Sequence, residues 1–219
     1  MSTRAHFIRS SIQRVEIDEF LSKELKKAGY AGVELQKTAL GTNVIIYASK
    51  PGLVIGRRGR NIQQLTEILE KRFKVENPQI SVQEADNPEL NARVMANRLA
   101  TELERGVNYR RASYFILRRI MSAGALGCEI IISGKISSQR AKYRKFRQGV
   151  LMKCGEPAEK YVDEAVAYAL LKPGVMGVNV RIMRPEVVMP DAVKIKKEKV
   201  EATEIEETEV VKDEVQREE

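Results

Sequence analysis

The 219-residue sequence has no tryptophan, one histidine and two cysteines, and only 5% of its residues are aromatic. Each shortage removes a class of chemistry. The lone histidine, His6, cannot anchor a histidine-rich metal cluster or serve as the base of a Ser/His/Asp triad, and it is expected on an exposed N-terminal arm. Cys128 and Cys154 stand far apart without a Cys-x-x-Cys spacing, so both are expected to be small buried hydrophobes in a reducing compartment, not a zinc site or a disulfide. The longest apolar run, residues 165–171, has seven members, against roughly 18 for a membrane span. Met1-Ser2-Thr3-Arg4-Ala5-His6 lacks the apolar stretch of a secretory signal. Glu67 and Glu70 sit beside Lys71 and Arg72, which reads as surface ion pairing and not as a two-metal carboxylate site. The expectation is a cytoplasmic, non-enzymatic protein with no membrane partner, no metal and no cofactor.

What the chain does have is positive charge, unevenly placed. The 38 basic and 30 acidic residues give a net +8. Residues 191–219 carry 11 acids and 6 bases, however, which leaves residues 1–190 with 32 bases, 19 acids and a net charge of +13. A body that basic is under self-repulsion, which a bound polyanion relieves. The last stretch, with scattered Val and Ile among its charges and no aromatic residue, reads as a solvated acidic tail; an acidic peptide that docks on a partner is the alternative.

Ile17, Phe20, Leu21, Leu25 and Ala28 recur at helical spacing, which predicts a helix over 17–28 that Gly29 ends. Val33 and Leu35 alternate with polar residues as in a strand. Gly41-Thr42-Asn43 reads as a turn into a second strand over 44–48, and Pro51-Gly52 as a chain break. Ile62, Leu65, Leu69 and Phe73 share a helical face, and a short strand follows around Ile80 and Val82. Asn87-Pro88 predicts the start of the next helix, which Gly106 ends. A second helix is expected over 112–123, then a strand over 128–133. A third helix is expected from Pro157, turning Ala158, Tyr161, Val162, Ala165 and Ala169 inward. Val178, Val180 and Ile182 form a last strand. The expected class is α+β: domains at 1–86 and 87–190, the second with a small, mostly antiparallel sheet, then the tail at 191–219.

Two constellations carry candidate chemistry. Val54-Ile55-Gly56-Arg57-Arg58-Gly59-Arg60-Asn61-Ile62 sets two glycines between aliphatic residues, after a strand and ahead of an amphipathic helix. Glycine lets the backbone bend sharply and lets a sugar-phosphate chain approach, while a helix start offers free N–H groups to phosphate oxygens. Gly56, Arg57, Arg58, Gly59 and Arg60 are the candidate RNA contacts; the plainer alternative is a glycine turn with solvated arginines. No Gly-Lys-Ser/Thr follows, so this is not a nucleotide-triphosphate loop, nor is it a Gly-x-Gly-x-x-Gly dinucleotide turn. From Arg105 to Lys153 there are twelve basic residues and one acid, Glu129. Arg111 and Arg118 lie on one helical face, with Arg110 and Arg119 flanking it. Arg140, Arg144 and Arg147 share a face if residues 139–148 are helical, and the interleaved Tyr143 and Phe146 can stack on bases. A solvated surface is the alternative, but the lack of counter-charge favours polyanion binding.

The loop resembles the KH signature, in the element order of a type II KH domain. Tyr109-Arg110-Arg111-Ala112, Gly127-Cys128-Glu129, Ser133-Gly134-Lys135, Gln139-Arg140-Ala141-Lys142 and Gly174-Val175-Met176-Gly177-Val178 resemble the S-three family of small-subunit ribosomal proteins, in its archaeal–eukaryotic branch. The resemblance covers about residues 4–190. It implies a structural constituent of the ribosome, bound to 16S rRNA in the head of the small subunit beside neighbouring head proteins and not forming a homo-oligomer. It also implies that Arg110, Arg111 and Lys142, with Arg140, Arg144 and Lys145 nearby, face mRNA in its entrance channel. Some eukaryotic relatives nick damaged DNA, but Leu126 stands here where that branch carries a lysine, so the activity is not expected to transfer. The alternatives are a free KH-type regulator of single-stranded RNA and, last, a DNA-repair lyase.

Overall fold

The first helix forms because residues 3–24 contain neither Gly nor Pro and bring Ile17 and Leu21 to one buried line. The computed structural model describes residues 3–38 and 41–187; the tail at 191–219 and the side chain of His6 lie outside the described residues. Helix α1 spans Thr3–Glu24, and a 3₁₀ turn over Lys26–Ala28 carries it to Gly29. It thus starts well before residue 17, because the apolar pattern marks only the part that packs. The expected N-terminal arm is the opening of this helix.

Three strands follow in a mixed sheet of order β1-β2-β3: β1 (Tyr30–Thr38) runs antiparallel to β2 (Gly41–Ala48), which runs parallel to β3 (Pro78–Glu84). The expected turn at Gly41-Thr42-Asn43 is corrected. These residues pair with Thr38, Lys37 and Gln36 inside the ladder and so belong to β2. Between β2 and β3 come α2 (Pro51–Ile55), a 3₁₀ turn (Arg57–Gly59) and α3 (Arg60–Phe73). Pro51 opens a short helix instead of simply breaking the chain, as its fixed φ permits in a first turn. Tyr30, Val44, Ile46, Val54, Leu65 and Leu69 form a core with α1.

The second half packs α4 (Ala92–Glu104) and α5 (Tyr109–Ser122) on one face of a fully antiparallel sheet of order β5-β4-β7-β6. Its strands are β4 (Gly127–Gly134), β5 (Lys142–Gly149), β6 (Val162–Leu171) and β7 (Gly174–Met183), with a short α6 (Glu156–Tyr161) before β6. Met95, Leu99, Ile116, Ile120, Ile130 and Ile182 are fully enclosed in this core. The α+β class is the architecture found, with helices on an antiparallel sheet in the second half and, in the first, the expected order interrupted by the additional helix α2.

Four expectations for the second half are corrected. Helix α4 begins at Ala92, not at Pro88. Asn91 caps it by accepting from the backbone N–H groups of Arg93 (3.0 Å) and Val94 (3.2 Å), and Asn87 closes a separate turn onto Leu90. Residues 162–171 are a strand, not the continuation of a helix from Pro157. Ala165, Ala167 and Ala169 satisfy a period of two as well as one of four, and the strand prevails because these small side chains let α4 lie close on β6. Residues 142–149 are also a strand, which removes the helical face proposed for Arg140, Arg144 and Arg147. Ile-rich β4 needs a partner on its free side, and at the sheet edge β5 keeps nearly all its charges in water. Finally, Cys154 is exposed. Cys128 is buried, and burial pushes its thiol up to about 12.

Residues through Val187 form one compact unit, and polar contacts from α1 and the 3₁₀ turn reach across to α4 and β6. Arg93 Nη1 donates to both Asp18 carboxylate oxygens, at 2.8 and 3.1 Å, and the buried Tyr30 hydroxyl donates to Asp18 Oδ1 at 2.6 Å. Burial and the Asp18 carboxylate hold the Tyr30 hydroxyl well above its ordinary pKa. At the other end of α4, Lys26 Nζ reaches Glu104 Oε1 and the Tyr168 carbonyl, each at 3.2 Å.

Candidate nucleic-acid interface

The glycine loop is a backbone device. Gly56 has φ 71° and ψ 179°, and Gly59 has φ 74° and ψ 10°. The first pair of angles is open essentially to glycine alone. A Cβ on Gly56 would also lie 2.6 Å from Asn61 Cγ, and Asn61 uses its side-chain amide to donate to the Leu53 carbonyl at 3.1 Å. Arg58 takes the left-handed conformation at φ 55°, ψ 32°. This tight path turns Arg57, Arg58 and Arg60 outward, all exposed, beside the exposed apolar side chains of Leu53 and Ile55. An open groove runs along Gly52, Leu53, Gly56, Arg57, Arg60 and Asn61. No acid ion-pairs with the three arginines among the described residues. The arrangement offers positive charge and an apolar wall next to a backbone that a chain of phosphates can approach closely.

The second surface is built on regular elements. Ala112, Ser113, Ile116, Leu117 and Ile120 of α5 face the core. The 100° step per residue then puts Arg110, Arg111, Tyr114, Phe115 and Arg118 on the outward arc. Asn108 caps the helix through the Arg110 N–H at 3.0 Å, and Arg110 lies over the Tyr109 ring at 5.7 Å. Arg119 is committed elsewhere, to Glu89. No acid pairs with Arg110, Arg111 or Arg118 among the described residues.

The strand β5 divides its own charges. Arg144 lies opposite buried Ile132 and Phe146 opposite buried Ile130, so Lys142, Arg144 and Phe146 face the helix layer. Phe146 lies between Tyr109 (centroids 6.5 Å apart) and Tyr114 (5.2 Å, edge-on), which makes it a packing residue and not a base platform. Tyr143, Lys145 and Arg147 face the other way. There Lys145 Nζ (3.0 Å) and Lys153 Nζ (2.9 Å) grip the Glu129 carboxylate, itself 1% exposed. Burial pushes that carboxyl up, but the hydrogen bonds from Lys153 and Lys145 outweigh it and hold it below the usual range. Farther along the same face, hydrogen bonding from Arg181 holds Glu164 low. Of the candidate residues, Arg110, Arg111, Lys142 and Arg144 therefore stand on one side of the sheet. Lys145 is on the other side, and Arg140 is exposed in the loop that leads into β5.

Comparison with known proteins follows the same division. The KH-domain family model matches residues 16–90, and the family described as "Ribosomal protein S3, C-terminal domain" matches residues 99–182. The small ribosomal subunit protein uS3 of Saccharolobus solfataricus is 55% identical over 182 residues, 83% of this chain and 80% of that one. Its counterpart in Methanocaldococcus jannaschii is 51% identical over 183 residues, 84% of this chain and 88% of its own. The chain belongs to the uS3 family.

For a uS3-family chain, the glycine loop is the KH element of the first matched segment, and α5 with β5 lies inside the second. The sequence reading missed Tyr114 and Phe115, which share the arginine arc of α5. The signal was present: each follows an arginine by four residues. Among the described residues no helix is long and apolar enough to cross a membrane.

Proposed function

We propose that this chain is a structural constituent of the small ribosomal subunit that binds 16S rRNA in the head through Gly56, Arg57, Arg58, Gly59 and Arg60, and presents Arg110, Arg111, Lys142 and Arg144, with Arg140 in the adjoining loop, to mRNA at its entrance channel. Family membership supports the ribosomal part. The observation that carries the rest is the α5 face: its outward arginines have no acid partner among the described residues and share one side of the sheet with Lys142 and Arg144. A surface built for protein stability would neutralise such charges. One that meets a sliding single strand needs phosphate contacts without base readout. We assign the KH role to residues 1–86 and the channel role to 87–190. The working location is the cytoplasmic ribosome, with neighbouring head proteins as further partners. The role is non-enzymatic, and Leu126 offers no amine for lyase chemistry.

The test combines location and charge. The protein should co-sediment stoichiometrically with small subunits in moderately high salt; a mostly free pool would refute the ribosomal reading. Changing Arg110, Arg111 and Lys142 together to Glu should leave the thermal transition within about 2 °C, because exposed charges contribute little to stability. The same change should slow translation of messages with structure near the start site. Unchanged translation of such messages would refute the channel assignment.

A further inference from the structure

Exposed apolar side chains that adjoin one another mark interaction sites more than ones that stand alone. On α5, Tyr114 is 59% and Phe115 is 53% exposed. Tyr114 follows Arg110 by four residues and Phe115 follows Arg111 by four, while Arg118 follows them by four and three. Residues at such spacings are surface neighbours, so the two rings alternate along the helix with three arginines, of which Arg110 donates from Nε to the Tyr109 hydroxyl at 3.0 Å. No acid breaks the arc. The ring of Tyr114 is steadied by its edge contact with Phe146, which limits the ordering needed before anything stacks on it.

An anionic partner with flat faces satisfies both halves of this pattern at once. We propose that Tyr114 and Phe115 are stacking platforms for the bases of single-stranded RNA, held in place by phosphate contacts to Arg110, Arg111 and Arg118. This rests on the reading that the α5 face meets RNA and goes further by giving that face a base-contacting part. Stacking accepts any base, because every base has a π face, so it grips a strand without selecting its sequence. A purely electrostatic arc would hold phosphates but leave the bases free to pair again. Aromatic platforms compete directly with base pairing, since a base stacked on protein is withdrawn from its duplex. A protein partner is the competing occupant, but it would have to bury three arginines for which this face provides no counter-charge.

The 219-residue chain supplies a direct probe, because it contains no tryptophan. Phe115→Trp makes this position the sole indole emitter. Titration with dodecameric oligoadenylate RNA should quench its emission saturably, in step with fluorescence anisotropy of the same RNA labelled at its 5′ end. Unquenched emission at saturating RNA overturns the proposal. Phe115→Leu and Tyr114→Leu should each weaken binding by about threefold or more. They should leave the slope of log affinity against log salt unchanged, because no phosphate contact is lost. Arg111→Gln should weaken binding and also reduce that slope by about 0.7. If the Leu variants bind as the parent does while Arg111→Gln is impaired, stacking is refuted and the RNA-facing reading survives. If neither Arg111→Gln nor the triple Glu variant alters binding, that reading fails too. Normal RNA binding by Phe115→Leu together with failure to enter small subunits would assign the rings to a protein partner and overturn the proposal. Phe115 carries the decisive variants because Tyr114 also packs on Phe146.

Discussion

The glycine loop and the α5–β5 surface both present arginines to solvent, but they hold them by different means. In the loop the backbone does the work: Gly56 and Gly59 take angles that close the turn between α2 and α3, and Arg57, Arg58 and Arg60 lie exposed along it. On α5 and β5 the backbone is regular. Charge is presented there because a helix and an edge strand bury one side and expose the other. The loop is contiguous in the chain. The second surface is assembled from segments about thirty residues apart, which the sheet and the packing of Phe146 against Tyr109 and Tyr114 bring together. A site of the first kind fails through its glycines, and one of the second kind fails side chain by side chain.

Gly56→Ala should have the largest effect on the folded state, a loss of about 1–3 kcal/mol measured by denaturant unfolding, because both its φ/ψ and Asn61 oppose a Cβ. Gly59→Ala should cost less, about 1 kcal/mol, since its left-handed angles are tolerable and open space surrounds it. Equal costs would mean that the conformation of Gly56 does not control the loop.

The two faces of β5 can be separated next. Arg144→Ala should weaken binding of single-stranded RNA by about threefold with no change in stability. Lys145→Ala should do the reverse, leaving affinity within about twofold and lowering stability by about 0.5–1 kcal/mol, because it removes a partner from the enclosed Glu129 carboxylate. If both variants lose RNA affinity alike, the division of the strand into a binding side and a structural side is wrong.

The smallest effect is in acid. Glu129 and Glu164 are held below the ordinary carboxylate range in the folded chain. Their contribution is therefore fully present above the unfolded value of about 4.5 and is lost as pH falls below it. Urea midpoints measured from pH 6 down to pH 3 should fall, and Glu129→Gln should give a shallower fall than the parent. Parallel curves would show that the Lys145–Lys153 clamp contributes nothing to stability.

Legibility followed the same contrast. Apart from the short α2, the element order of the first half could be read because its apolar residues keep one period at a time: Val44 to Ala48 as a buried strand, and Leu65 and Leu69 as a helical stripe. The second half misled where two periods coincide. Ala165 and Ala169 fit a helix and a strand equally well, and the packing of α4 over small side chains decides between them. Whether Arg140, Arg144 and Arg147 share a face could not be read, because charge carries no period where nearly every residue of a segment is exposed. Asn87 and Asn91 are both competent caps, and the choice fell to Asn91 where Asp163, arriving from β6, accepts the first helical N–H of α4 at 2.9 Å.

The sequence by itself determined the α+β class, the glycine loop with its exposed arginines and the excess of positive charge ahead of residue 191. These depend on composition and on contacts a few residues long. Which basic side chains work together was decided only by tertiary structure. Strand pairing sends Lys142 and Arg144 to the side of Arg110 and Arg111 and turns Lys145 to Glu129, because neighbouring residues of a strand face opposite ways and the partner strand alone sets which way is inward.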